Sequence, residues 1–244
     1  MEELKTVSSP ETTRPIGTST GNARQAILPA AVYLLLAILF SSCFFSWSNL
    51  ESHSIQGGDP ALNAWILQRV THNLLENPLD LLDGNAYHPR KNSLNAWDHM
   101  TSLAVINIPF HTLSGSPWTG YNFLIFLAYF ISAMGGYRLA MTLTGSRWAS
   151  FWAGIFWGFL FFRAHHFSHL QILSFQWMPY CADALISFLR TDNNRHLYRL
   201  VLFTLLQSLV GWYLAVINGF ALLIVFTFSL GKKHFNWSTM VRGI

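Results

Sequence analysis

The stretch Ala26-Ile27-Leu28-Pro29-Ala30-Ala31-Val32-Tyr33-Leu34-Leu35-Leu36-Ala37-Ile38-Leu39-Phe40, which runs on without a charge to Trp47, decides the fold. It is long enough to cross a bilayer as a helix. Shortly beyond it comes Gly57-Gly58-Asp59-Pro60-Ala61-Leu62-Asn63-Ala64-Trp65, then a long polar loop. The next apolar span begins only near Pro117. This order puts Asp59 just outside the membrane, at headgroup level.

The rest of the chain agrees with that class. Apolar residues make up 52% and charged residues 11%, too little charge to cover a soluble surface of this size. Residues 1–24 are rich in Ser, Thr and Pro and read as a disordered cytoplasmic tail. Further spans read as 117–143, 148–162, 171–189 and a run over 197–230. One helix over that last run would be roughly 50 Å long, well beyond the hydrocarbon thickness. A turn back at Gly211-Trp212-Tyr213 resolves the excess. The expectation is therefore an all-α, polytopic membrane protein with about six transmembrane helices. A module over 25–230 holds the outer loop 48–116, and a cytoplasmic segment over 231–244 follows.

Charge supports six spans. Lys5, Arg14 and Arg24, then Arg147, then Arg190, Arg195 and Arg199, then Lys232, Lys233 and Arg242 all fall on one side, as the positive-inside rule expects of the cytoplasm. The 48–116 loop holds Glu51, Asp59, Glu76, Asp80, Asp83 and Asp98 against Arg69, Arg90 and Lys91, and reads as extracytoplasmic. His53, His72, His88, His99, His111, His165, His166 and His169 land on that outer side. They suit polar loops and interfaces, and equally the binding of phosphate or a divalent metal. Cys43 and Cys181 lie in expected spans and read as buried thiols. No aromatic-basic pattern points to nucleic acid.

Two amphipathic helices are expected in the outer loop. The first runs over 60–75, with Asp59 as N-cap and Pro60 at the first helical position. Leu62, Ile66, Val70 and Leu74 recur every four residues with Trp65 beside them, while Asn63, Arg69 and Asn73 point elsewhere. The second starts near Ala96, with Asp98 and His99 in its first turn, and is ended or kinked at Pro109. Asp59 and Asp98 each have a structural reading, as a cap and as a helix-dipole partner, beside any chemical one. Tyr87-His88-Pro89-Arg90-Lys91 reads either as solvated loop or as a phosphate-binding turn, with the loop favoured.

Taken together, these segments resemble the GT-C superfamily of integral membrane glycosyltransferases. The resemblance rests on the first span followed by Gly58-Asp59-Pro60 and Trp65, and on Phe162-Arg163-Ala164-His165-His166-Phe167-Ser168-His169-Leu170-Gln171 with Gln176-Trp177-Met178-Pro179 after it. Leu206-Gln207-Ser208-Leu209-Val210-Gly211-Trp212-Tyr213 completes it. It implies a polyprenyl-phosphate-linked sugar as donor, with transfer at the outer face of a bacterial inner membrane. Asp59 matches the first-loop carboxylate of that group, and Asp98 is a looser match to a second acid. These two are the candidate catalytic residues. There is no Asp-x-Asp pair. The resemblance also implies the amino-terminal half of such an architecture, which would need further spans or a partner subunit for transfer.

Glycosyl transfer from a lipid phosphate needs a base for the acceptor proton. It also needs cations or a metal to stabilise the departing phosphate. Arg163, His165, His166 and His169, with His99 and Gln171, are the candidate substrate-binding residues. At helical spacing His165 and His169 share a face. A divalent cation such as magnesium or manganese is an alternative source of charge, and the metal ligands are unknown from sequence. Two other readings remain open. One is a transporter component, for which only Asp183 lies deep in a span. The other is a non-catalytic scaffold, for which Gly154-x-x-x-Gly158 is a weak helix-packing signal.

Overall fold

The computed structural model describes residues 19–54, 57–166 and 168–234; the expected tail over 1–24 and the segment 231–244 fall largely outside them. Ten helices follow in order: α1 (Ser19–Ser41), α2 (Gly58–Glu76), α3 (Thr101–Leu113), α4 (Trp118–Thr144), α5 (Arg147–Gly158), α6 (Phe161–His165), α7 (Leu170–Leu173), α8 (Met178–Thr191), α9 (Asn194–Ser208) and α10 (Trp212–His234). Among the described residues there is no strand, only an isolated bridge between Ser46 and Asn49. Among the described residues three stretches, Trp118–Thr144, Leu170–Thr191 and Trp212–Ser229, are long and apolar enough to cross a membrane. The second contains the α7–α8 break at 174–177. The chain is thus an all-helical membrane protein.

Its surface is apolar where a soluble protein's is polar. Trp148, Trp152 and Phe156 form one exposed face of α5, and Val216, Phe220, Leu223 and Ile224 are exposed along α10. Patches of this extent call for lipid or another protein surface. The interior, by contrast, buries Asn107, Asn122, Ser132, Arg163, Asp183 and Gln207.

Helix α4 is the hub, contacting α1, α3, α5 and α8. Its approach to α5 depends on missing side chains. A Cβ on Gly154 would stand 2.3 Å from the Tyr33 hydroxyl, and one on Gly158 would stand 2.6 Å from the Ala133 Cβ. The Gly154-x-x-x-Gly158 motif therefore packs α5 onto α4 and α1 of its own chain.

Toward the carboxyl end of α4, where it meets α8 and α9, lies an ion cluster. Asp183 is 1% exposed. Its Oδ2 accepts from Arg138 Nε at 2.7 Å and Arg199 Nη2 at 2.6 Å, and its Oδ1 accepts from Thr142 Oγ1 at 2.6 Å. This one carboxylate ties α4, α8 and α9 together.

Several boundaries differ from expectation for identifiable reasons. Helix α2 starts at Gly58, so Asp59 sits inside its first turn instead of capping it, where the helix dipole still favours a carboxylate. Asn63 and Asn73 turn inward: Asn73 Nδ2 donates to the carbonyls of Asp80, Leu81 and Asp83 and so closes the turn after α2. Helix α3 starts at Thr101, not near Ala96, because Met100 is left-handed at φ 48°. It then runs one turn past Pro109. The expected span over 148–162 is a 12-residue helix, α5, followed by a break. The turn expected at 211 is present, between α9 and α10.

Candidate functional site

A cleft of about 400 Å³ opens where α2, α3, α7 and α10 begin. That is within the range of small-ligand pockets. Asp59, Asn63, Trp97, Asp98, His169, Gln171, Trp212 and Tyr213 are among its lining residues.

Each wall has a local cause. Gly58 takes φ +60°, a conformation that suits glycine, and the chain turns there into α2. Asp59 follows in the first turn. Asn63, four residues on and therefore on the same helical face, donates from Nδ2 to the Ser168 carbonyl at 3.1 Å. That bond holds Ser168, between α6 and α7, alongside α2. The next residue, His169, then brings its Nε2 to 3.2 Å from Asp59 Oδ2. From below, Gln207 of α9 clamps the α7–α8 break, donating to the Ser174 carbonyl at 3.0 Å and accepting from the Trp177 amide at 3.2 Å.

The opposite wall is a backbone corner. The Met100 amide donates to the Val210 carbonyl and the Ser102 amide to the Leu209 carbonyl, at 3.0 and 3.1 Å. This docks the start of α3 on the α9–α10 turn. Asp98 lies against Gly211, where a Cβ would stand 2.2 Å from Asp98 Oδ1. Burial pushes the Asp98 carboxyl above the usual carboxylate range. The two acids are therefore unlike. Asp59 is exposed and touches an imidazole, whereas Asp98 is half-buried and its burial disfavours the charged form.

The other expected site residues lie apart. His99 is buried behind the corner, within 2.7 Å of Thr101 Oγ1 and edge-on to Trp212, and burial lowers its pKa from the ordinary histidine value. Arg163 is fully buried, donating from Nη1 to Ser132 Oγ at 2.7 Å and lying over the Tyr129 and Phe175 rings at 5.1 and 4.4 Å. His165 is exposed against Phe161. His166 donates from Nδ1 to the Phe162 carbonyl at 2.9 Å. Helix α6 ends at His165 and α7 begins at Leu170, so the helical spacing expected to align His165 with His169 does not exist. Of the expected set, the structure brings Asp59, Asp98, His169 and Gln171 together.

No group of three His, Cys, Asp or Glu that could hold a metal occurs among the described residues. The donor set at the cleft thus does not fit the divalent cation that the resemblance allows, and no step is assigned to one. Asn63 was the residue that sequence reasoning misplaced. Its i+4 spacing from Asp59 was the signal that could have found it. Comparison with protein-family models, curated proteins and solved structures gives no match to this chain.

Proposed function

We propose that the cleft is the acceptor side of a glycosyl-transfer site, using a polyprenyl-phosphate-linked sugar at the outer face of a bacterial inner membrane. The observation that carries this reading is the Asp59–His169 contact at the mouth of an aromatic-walled cleft. Asp59 takes the proton of the acceptor hydroxyl as its oxygen bonds to the anomeric carbon. The bond from that carbon to the phosphate oxygen breaks, and its electron pair leaves on the phosphate. His169, donating from Nε2, orients the Asp59 carboxylate. Asp98, on the opposite wall, lies within reach of a hydroxyl of the sugar. Trp97, Trp212 and Tyr213 offer flat faces to the sugar ring.

Topology supports the height of the site. The loop over 50–53 is strapped to the start of α4, with His53 Nδ1 at 2.7 Å from Asn122 Oδ1 and Asn122 Nδ2 donating to the Leu50 and Ser52 carbonyls. The Asp183 cluster lies at the far end of α4. From Tyr121 to Thr142 the helix rises about 30 Å, one hydrocarbon thickness. Six crossings, made by α1, α4, α5 with α6, α7 with α8, α9, and α10, put the arginine end in the cytoplasm and the cleft outside.

A transporter reading needs a deep acid free to change partners. Asp183 has two arginines and a threonine on it, which favours the enzyme reading. The test is the full chain in nanodiscs, with mass spectrometry of copurified lipid and a transfer assay in which the further spans or partner subunit are supplied. Bound polyprenyl phosphate, and a loss of transfer of about 100-fold or more in Asp59→Asn, is expected. Absence of such lipid together with an unchanged Asp59→Asn variant would overturn the reading.

A further inference from the structure

The charge around Asp183 does not balance, and the imbalance is held in place. Three guanidinium groups belong to one hydrogen-bonded cluster. Arg138 and Arg199 share Asp183 Oδ2, and Arg190 Nη1 donates to the carbonyl of Thr142 at 2.6 Å. Thr142 is the residue whose hydroxyl occupies Asp183 Oδ1. The cluster thus holds one carboxylate, touched by two of the arginines, against three guanidinium groups, a surplus of two positive charges. Asp183 is buried and already accepts three hydrogen bonds, so it can offset nothing more. Among the described residues no other carboxylate lies within ion-pair distance of these arginines. The carbonyl ends of α4 and α8 offset part of the surplus, but only over their last turns.

Free donors remain on Arg138 and Arg190, whereas Arg199 spends Nη2 on Asp183 and holds Nη1 3.2 Å from His196 Nδ1, so that it contributes chiefly charge. Arg138 spends only Nε on Asp183, and its side chain is 49% exposed. Arg190 is exposed and uses one Nη1 bond. Because Asp183 and Thr142 fix two of these side chains, little rotamer freedom is lost when they meet an anion. The planar guanidinium fork matches the oxygens of a phosphate. Leu143, next to Thr142 in the chain, and Leu197 and Tyr198, beside Arg199, are exposed. A cationic patch toward the end of the membrane-crossing α4 lies where lipid phosphates lie.

We propose that Arg138, Arg190 and Arg199 form a phosphate-binding site, filled by the headgroup of an anionic phospholipid on the face opposite the cleft. The site is independent of any chemistry at Asp59. The test uses the full chain in nanodiscs of phosphatidylcholine alone and of phosphatidylcholine with phosphatidylglycerol, followed by native mass spectrometry and thermal unfolding. Retention of phosphatidylglycerol over phosphatidylcholine, with a matching rise in unfolding temperature, is expected. The Arg138→Gln/Arg190→Gln variant should weaken that retention about tenfold or more, the equivalent of one lost charge-assisted contact. Arg190→Gln alone carries the test if the pair does not fold, since Arg190 does not touch Asp183. Equal retention of both lipids, or undiminished retention in the variants, overturns the site. Inorganic phosphate added to phosphatidylcholine discs should give no comparable stabilisation. An equal rise would assign the arginines to a soluble phosphate and overturn the headgroup.

Discussion

Two aspartates at opposite ends of one helical bundle have opposite surroundings. Asp183 is buried, accepts three hydrogen bonds from α4 and α9, and cannot move without breaking them. Asp59 is exposed, at 57% for its side chain, and touches a single imidazole. A buried carboxylate with both oxygens engaged holds structure. One with spare acceptor capacity beside a cleft is available for chemistry. The deep acid, which in sequence looked like the transport candidate, is a lock, and the apparent helix cap is the one left free for the proposed chemistry.

The comparison breaks first at Asp183. Asp183→Asn leaves Arg138 and Arg199 without a counter-charge, and a loss of about 3–5 kcal/mol in unfolding free energy is expected. A drop below about 1 kcal/mol would mean that the lock is ornamental. Next, Asp59→Asn should cost less than about 1 kcal/mol in the same measurement, because the site is exposed. Its transfer activity should nonetheless fall about 100-fold or more. Asn63→Ala sharpens the contrast within the cleft. It removes the bond to Ser168, and a loss of about 1 kcal/mol is expected. Cysteine labelling at Gln171 should then become faster as the segment carrying His169 loosens.

The smallest effect concerns pH. The folded Asp98 carboxyl titrates above its unfolded value because of burial. Between the two values the folded state holds the extra proton, so stability falls as pH rises through that window and stays lower above it. Asp98→Asn removes the cost of burying the charge. Thermal unfolding from pH 4 to pH 8 should therefore be flatter in the variant, with a gain at the alkaline end. A wild type that grows more stable on the alkaline side of this range, with the variant unchanged, would contradict this sign.

Much of the fold was legible in local pattern. The apolar run before Asp59, the excess length over 197–230 and the acidic outer loop are composition and length effects, which need no tertiary knowledge. The inward turn of Asn63 and Asn73 was not legible. Amphipathic periodicity counts polar residues as outward, yet both amides are spent on backbone carbonyls of loops beyond the helix. The start of α3 was missed for a similar reason, because the partners of its first amides lie more than a hundred residues away. Of the site, Asp59, Asp98, His169 and Gln171 could be named from sequence, but their meeting could not. Arg163 shows the reverse: its charge suggested an exposed rim, and three neighbours bury it.

The corner that carries Asp98 has one more consequence. It is fastened to the α9–α10 turn by amide and carbonyl groups of Met100, Ser102, Leu209 and Val210, not by side-chain polarity. Every amino acid but proline brings the same donor and acceptor. Polar-for-apolar exchange at Ser102 or Leu209 therefore leaves this fastening in place, so the wall of the cleft can keep its shape while the spelling of the chain around it drifts.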